Sequence, residues 1–435
     1  MTSSPDRSTT SRTNHSSSRG GTAAAALRER PFRIMWFGGL ASGLGTWMQN
    51  VLLAPFALDL ARRTGGIRPA TFAGIVLAAQ LVPYLFGPIS GMLGDRLPTR
   101  PYLIVCQIEQ LLGSLLLAWL VSMDHPNKFL FVLVVLAIGF GNAFNNPVWS
   151  SVLPAMVRPE NLSGAVALNS LTLNGARAIG PVLVVVLRDS FGVTTSGVFL
   201  FNAATYLFVI YALVAVRPPA RQRPERNTSM RASVMDGIRT TREIRVLFNI
   251  ITSVPFLSAF VLTFVPMFAA IAEHNLGIDS DSSTYRWLYA TFGLGACFGG
   301  LGVATVWSHV DPRIIPRRFL YAMGAVDTAY ALVSSTTLAF PIVFAVGFCY
   351  FGLITSWVTV LQTHSPAQYR ARVMALWFVG FGGMTAFASL WGGFAIDHWS
   401  ARGMLLIGAA VTVLLGRRAD LVPLSEQAKA LGQVP

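Results

Sequence analysis

Residues 129–149 read Phe129-Leu-Phe-Val-Leu-Val-Val-Leu-Ala-Ile-Gly-Phe140-Gly-Asn-Ala-Phe-Asn-Asn-Pro-Val-Trp149, a run of twenty-one positions without a charged side chain. A helix of that length rises about 30 Å, the thickness of a bilayer's hydrocarbon core. Similar runs recur at 34–58, 70–90, 102–122, 162–187 and 193–216. After a polar stretch they return at 246–272, 286–306, 319–338, 340–361, 373–396 and 403–416. The pattern predicts an all-α integral membrane protein of twelve transmembrane helices in two pseudo-symmetric six-helix bundles. The bundles are expected at 32–216 and 246–416, with a linker at 217–245 and tails at 1–31 and 417–435.

Composition points the same way, because 53% of the 435 residues are apolar and 12% charged, against about 25% charged in an average soluble domain. The net charge of +14 does not mark a nucleic-acid surface, because the basic residues fall in short polar gaps between apolar runs. With the N-terminus inside, 25 of the 33 Lys and Arg lie in tails and even-numbered connections, 7 lie outside, and only Arg177 lies within a run. The positive-inside rule then places both termini in the cytoplasm. Residues 1–31 hold no apolar h-region and read as a disordered cytoplasmic tail, with an organellar transit peptide as the alternative. Within the linker, Met230 to Arg245 reads as a basic amphipathic helix. The final run is the shortest, since Met404 to Gly416 supplies about 20 Å of helix.

The two sets of helices echo each other. Arg100 precedes Glu109 by nine residues, as Arg318 precedes Asp327, at an offset of 218. Val166-Ala167-Leu168 is answered by Met374-Ala375-Leu376 at an offset of 208. Parallel six-helix repeats of this kind place a substrate between the halves. Ionisable groups within spans are costly, so Glu109, Arg177 and Asp327 are candidates for coupling transport to protons, beside the structural reading of acids bonded to neighbours such as Gln80 or Gln107. Cys106, Cys297 and Cys349 lie inside apolar runs without metal-ligand spacing, and no metal or cofactor is expected. Scattered histidines and the lack of G-x-S-x-G, H-E-x-x-H or a Walker loop speak against an enzyme or an ATP-driven pump.

Gly91-Met92-Leu93-Gly94-Asp95-Arg96-Leu97-Pro98-Thr99-Arg100 resembles the signature loop of the major facilitator superfamily, departing at Pro98, where Gly is usual, and at Thr99, where a basic residue is usual. Gly45-Thr46-Trp47-Met48-Gln49, Gln80-Leu81-Val82-Pro83, Leu153-Pro154 through Asn169 and Leu361-Gln362-Thr363 through Leu376 are similar to the bacterial exporter branch that includes the enterobactin exporter and macrolide and drug-efflux relatives. Asn174 to Pro181 resembles the antiporter signature of the fifth helix, with Val184 and Val185 in place of its final glycines. The resemblance implies a secondary active exporter of a small amphiphilic molecule such as a siderophore, antibiotic or drug, working by alternating access with protons as partners and the chain as a monomer. An importer, an uncoupled facilitator and a transport-dead membrane sensor stay open as alternatives.

By the same resemblance, Gly91, Asp95, Arg96, Arg100, Arg370 and Arg372 form a cytoplasmic latch. Gly180 and Pro181 form a kinkable contact between the halves. The cavity-lining helices would present Trp47, Gln49, Asn50, Asn142, Asn145, Asn146, Tyr350 and Trp357, with Thr263 and Thr359 beside them. That set of amides and aromatics suits a neutral, amphiphilic or aromatic substrate better than a cation.

Overall fold

The computed structural model describes residues 22–216, 230–307, 310, 314–366 and 369–419. Its regular elements, among these residues, are helices. In chain order they are α1 (Ala23–Arg28), α2 (Arg30–Thr64), α3 (Pro69–Leu81), α4 (Gly87–Arg96), α5 (Thr99–Val121) and α6 (Lys128–Val152). There follow α7 (Leu162–Val185), α8 (Thr195–Ala215), α9 (Met230–Glu243), α10 (Arg245–Phe256), α11 (Phe268–Leu276) and α12 (Ser283–Ala304). The last are α13 (Ile314–Leu332), α14 (Thr336–His364), α15 (Arg370–Phe378), α16 (Met384–His398) and α17 (Ala401–Arg418).

Three apolar runs are carried by pairs of helices that continue through a local break. A tighter turn, Val82–Phe86, joins α3 to α4 where Pro83 removes a backbone donor. Wider turns at Leu257–Val261 and Val379–Gly383 follow Pro255 and accompany a Gly-rich stretch. Among the described residues five helices start on a side-chain cap, from Thr22 to Ala25 N (3.3 Å), Asn127 to Leu130 N (3.0 Å), Thr194 to Gly197 N (3.1 Å), Ser282 to Tyr285 N (3.1 Å) and Ser400 to Gly403 N (3.3 Å).

Among the described residues seven stretches are long and apolar enough to cross a membrane, namely Pro69–Phe86, Thr99–Val121, Lys128–Val152, Thr195–Ala215, Arg245–Phe264, Thr336–His364 and Arg372–His398. The run read at 319–338 crosses a helix boundary: α13 ends at Leu332 and α14 starts at Thr336, with Ser335 at the cap position. Composition hid this break because Val333 and the short Ser-Thr cluster keep the window apolar. Outward-facing Leu112, Phe208, Phe298 and Phe394 are exposed, as a surface against lipid requires.

The tail expected at 1–31 is helical from residue 23 onward; residues 1–21 lie outside the described set. An Ala-rich segment favours helix, Ala26 is buried, and Glu29 accepts from Arg158 N at 3.1 Å and Asn161 Nδ2 at 2.7 Å. Of the linker, 217–229 lies outside the described residues, and α9 covers most of the remainder. It buries Thr240 and Thr241 while exposing Arg239, Arg242 and Glu243.

Within the early helices, α2 lies on α7 and α8, and α5 on α6 and α8; among the later ones, α12 and α13 lie on α14, and α13 on α17. The two stretches meet where α3 crosses α16, α7 crosses α12 and α11 touches α2. The α3–α16 crossing is backbone against backbone: a Cβ at Gly74 would stand 2.3 Å from Ser389 O, and one at Gly393 would stand 2.3 Å from Ala70 O. Only glycine permits that approach.

Candidate functional site

The helices alternate in direction, so one face of the molecule collects the end of α2, the start of α3, the end of α7, the α11–α12 turn and the end of α16. Here, at the far face, charges tie the early helices to the later ones. Arg62 pairs with Glu273, and Arg188 with Asp281 through two contacts, Nη2 to Oδ2 being 3.2 Å. Asp189 accepts from Arg286 and from Ser283 Oγ. Asp397 accepts from Thr71 N at 2.6 Å, Thr71 Oγ1 at 2.7 Å and Ala70 N at 3.3 Å, which caps α3 from α16, and Arg68 donates to its carbonyl. Burial raises the Asp189 carboxyl, but the hydrogen bonds from Ser283 and Arg286 together with the Arg286 and Arg188 charges outweigh it, and its pKa falls below the usual range. Sequence reading missed this closure. Its only signal was a set of opposite charges at helix ends that would share a face.

At the opposite face, where α2 begins, the expected latch divides. Gly91 and Asp95 belong to α4, their side chains lying outside the described set, and Arg96 and Arg370 are exposed. Arg100 donates to Leu213 O (2.7 Å) and Val214 O (2.8 Å), capping the last carbonyls of α8 in the same half rather than latching the other. Arg372 pairs with Asp236 on α9 at 2.5 Å and also lies over the Tyr369 ring, so it fastens the linker helix to α15. Among the described residues the side-chain pairs of this face stay within each stretch, although α4 touches α15 and the Val82–Phe86 turn packs on Val379–Gly383.

Between the faces, Gly180 meets α2, a helix of its own half: a Cβ there would stand 2.7 Å from Trp47 Cβ. Gly180 was expected to join the halves, with Pro181 next to it inside α7. The joining contact is instead made at Gly293 of α12, whose Cβ would stand 3.0 Å from Arg177 O. One turn below Gly180, the Arg177 guanidinium stacks between Trp47 of α2 (4.5 Å) and Phe351 of α14 (4.2 Å). Its Nε is buried without a hydrogen-bond partner, and no carboxylate among the described residues pairs with it. A charge in a span costs about 2.5–3.5 kcal/mol on insertion scales, and a desolvated cation–π contact returns about 2 kcal/mol. Two rings thus suffice to hold it there.

The expected cavity set is only partly free. Gln49 is buried, its Oε1 accepting from Ser114 Oγ (2.9 Å) and Asn202 Nδ2 (2.8 Å), so it braces α2 against α5 and α8. Asn145 is likewise spent on Gln107 (3.0 Å), and Asn50 accepts from Gln80 (2.9 Å). Asn142 donates to Ile138 O in its own helix, and Asn146 is exposed and reaches Tyr84 Oη at 3.3 Å. Trp357 is buried edge-on to Trp377 (6.2 Å), and Tyr350 stacks on Phe292 (6.1 Å) and meets Phe351 edge-on (4.7 Å).

Neither membrane acid has the amide partner suggested for it, because Gln80 and Gln107 are taken. Both carboxylate oxygens of Glu109, and both of Asp327, are buried without a hydrogen bond among the described residues. Glu109 presses on Gly141, where a Cβ would clash at 1.7 Å, and it lines a cavity of about 510 Å³ with Tyr102, Cys106, Phe140 and Phe144. No cluster of metal-ligating side chains occurs among the described residues.

Solved transporters share this arrangement of helices. A variant of the nucleoside transporter NupG superposes with a TM-score of 0.72 at 12% identity, covering 89% of this chain and 98% of its own. An autoinhibited POT family peptide transporter gives 0.74 at 11%, covering 91% and 98%. At such identity the likeness is one of fold alone. The chain belongs to the Transmembrane secretion effector family, whose pattern it matches over residues 21–431. It is 24% identical to the multidrug efflux pump Tap of Mycolicibacterium fortuitum, over 82% of this chain and 86% of that protein. It is also 23% identical to the enterobactin exporter EntS of Salmonella paratyphi A, over 75% and 80%.

Proposed function

We propose that the chain is a secondary active exporter of a small amphiphilic molecule, with twelve spans in two six-helix bundles that rock about a central site. The termini face the cytoplasm, the working unit is the monomer, and protons moving inward supply the energy. The observation that carries this reading is the asymmetry of the two faces. Ion pairs and a helix cap bind the early helices to the later ones at the far face, while among the described residues the side-chain pairs found at the near face join elements of the same stretch. That is the pattern of one end-state of an alternating-access cycle, open toward the cytoplasm, with a buried cation at the level where the halves meet. Efflux relatives favour outward transport, and Glu109 and Asp327 are the groups that would take and release the proton.

The test is flux into inside-out proteoliposomes under an imposed pH gradient, with a macrolide, a tetracycline and a catecholate siderophore as the panel. Gradient-dependent accumulation of at least one is expected. If none moves, or if movement runs only in the opposite direction, the export reading fails.

A further inference from the structure

The geometry points to Arg177 as an anion-recognition residue, so that the substrate is an aromatic amphiphile carrying an acidic group, a carboxylate or an ionised phenol. This rests on the transport reading for the position of the site and goes beyond it in naming the substrate's charge. The guanidinium lies over two rings, Trp47 at 4.5 Å and Phe351 at 4.2 Å. Its N–H donors lie along its edge, and of these Nε is buried and bonded to nothing. A stacked guanidinium is pre-organised for a planar, bidentate acceptor, which a carboxylate supplies and an amine or amide does not.

The walls extend the argument. Phe351 touches Tyr350, Tyr350 stacks on Phe292, and Phe292 meets Tyr289 edge-on (5.9 Å), so a buried aromatic cluster continues from the ring beside the cation. A hydrophobic ring system packed among those side chains would place its acidic group at Arg177. The rings come from α2 on one side and from α12 and α14 on the other, so the anion would sit where the early and later helices meet. Arg177 keeps its charge at any physiological pH, so the preference belongs to the site rather than to a titration.

The test uses the full chain in lipid nanodiscs and compares radiolabelled 2-naphthoate with 2-naphthamide, which share the rings and differ in charge, with empty nanodiscs subtracted. The wild type is expected to bind 2-naphthoate at least about tenfold more tightly, the effect of a charged hydrogen-bonded pair. Arg177→Gln should bring the affinities of the two probes to within about twofold of each other, and Arg177→Lys should keep part of the preference. Should Arg177→Gln not fold, competition in the wild type decides: excess benzoate displaces the bound probe and benzamide does not. Equal binding of the two probes, no binding of 2-naphthoate, or parallel loss of both in the variant overturns the assignment. Since the readout is binding, failure here leaves the flux result intact, and failure of flux leaves the binding preference intact.

Discussion

At Asp189 the direction of the pKa shift sets a pH window. A carboxyl held below its ordinary value by Ser283 and Arg286 contributes stability to the closed far face that is fully present above the unfolded carboxylate pKa, and loses it as pH falls through the lowered folded value. Far-face closure should therefore be flat from pH 5 to 8 and loosen only below about pH 4. In a background without native cysteines, a Ser280→Cys probe and an impermeant maleimide report this; a step near neutral pH would contradict it. Asp189→Asn removes a partly buried charged pair, costs the closed state about 1–2 kcal/mol, and should raise labelling several-fold at every pH above 5. The legibility of single residues divides along the same line. Glu109, Arg177 and Asp327 stood out because a charge inside an apolar run is anomalous by itself. Gln49 and Asn145 were misplaced because an amide's partner lies on another helix, and Asp189 was overlooked because its partners lie nearly a hundred positions away.

Among the elements, the α3–α16 crossing offers the sharpest test. Gly74→Leu drives a side chain into the backbone of Ser389, and overpacking of this kind costs about 1–3 kcal/mol. Under the proposed two-bundle cycle the cost falls on the closed far face, so labelling at the Ser280→Cys probe should rise while near-face probes become protected. Gly175→Ala is the control, with Leu171 Cδ1 at 3.9 Å its nearest neighbour, and should leave labelling unchanged. The seven spans found among the described residues were legible as apolar runs, since lipid demands length and hydrophobicity from each. The boundary at 333–335 was not, because a turn of small side chains barely lowers mean hydropathy. Nor was the division of labour between Arg100 and Arg372: a basic residue at a loop announces a headgroup level, but not whether it closes a helix end or fastens a linker.

For the whole molecule, the unpartnered carboxyls are the place to look for energy coupling. Glu109→Gln and Asp327→Asn are expected to keep substrate exchange at equal pH while lowering gradient-driven accumulation about tenfold or more in whichever variant carries the proton. If both retain full accumulation, the proton travels elsewhere. The joint between the halves at Asp397 adds a demand of another kind. In the closed form this carboxylate serves as the acceptor for the first turn of α3, at Ala70 N and Thr71 N. In the proposed rocking cycle α16 would withdraw and those amides would lose their acceptor, so in a low-dielectric seam they must be met by water. Opening would then be an act of wetting as well as of rocking, and its rate should depend on water activity. Sucrose on the far side of proteoliposomes is expected to slow turnover in the parent chain more than in Asp397→Ala, whose seam no longer begins dry.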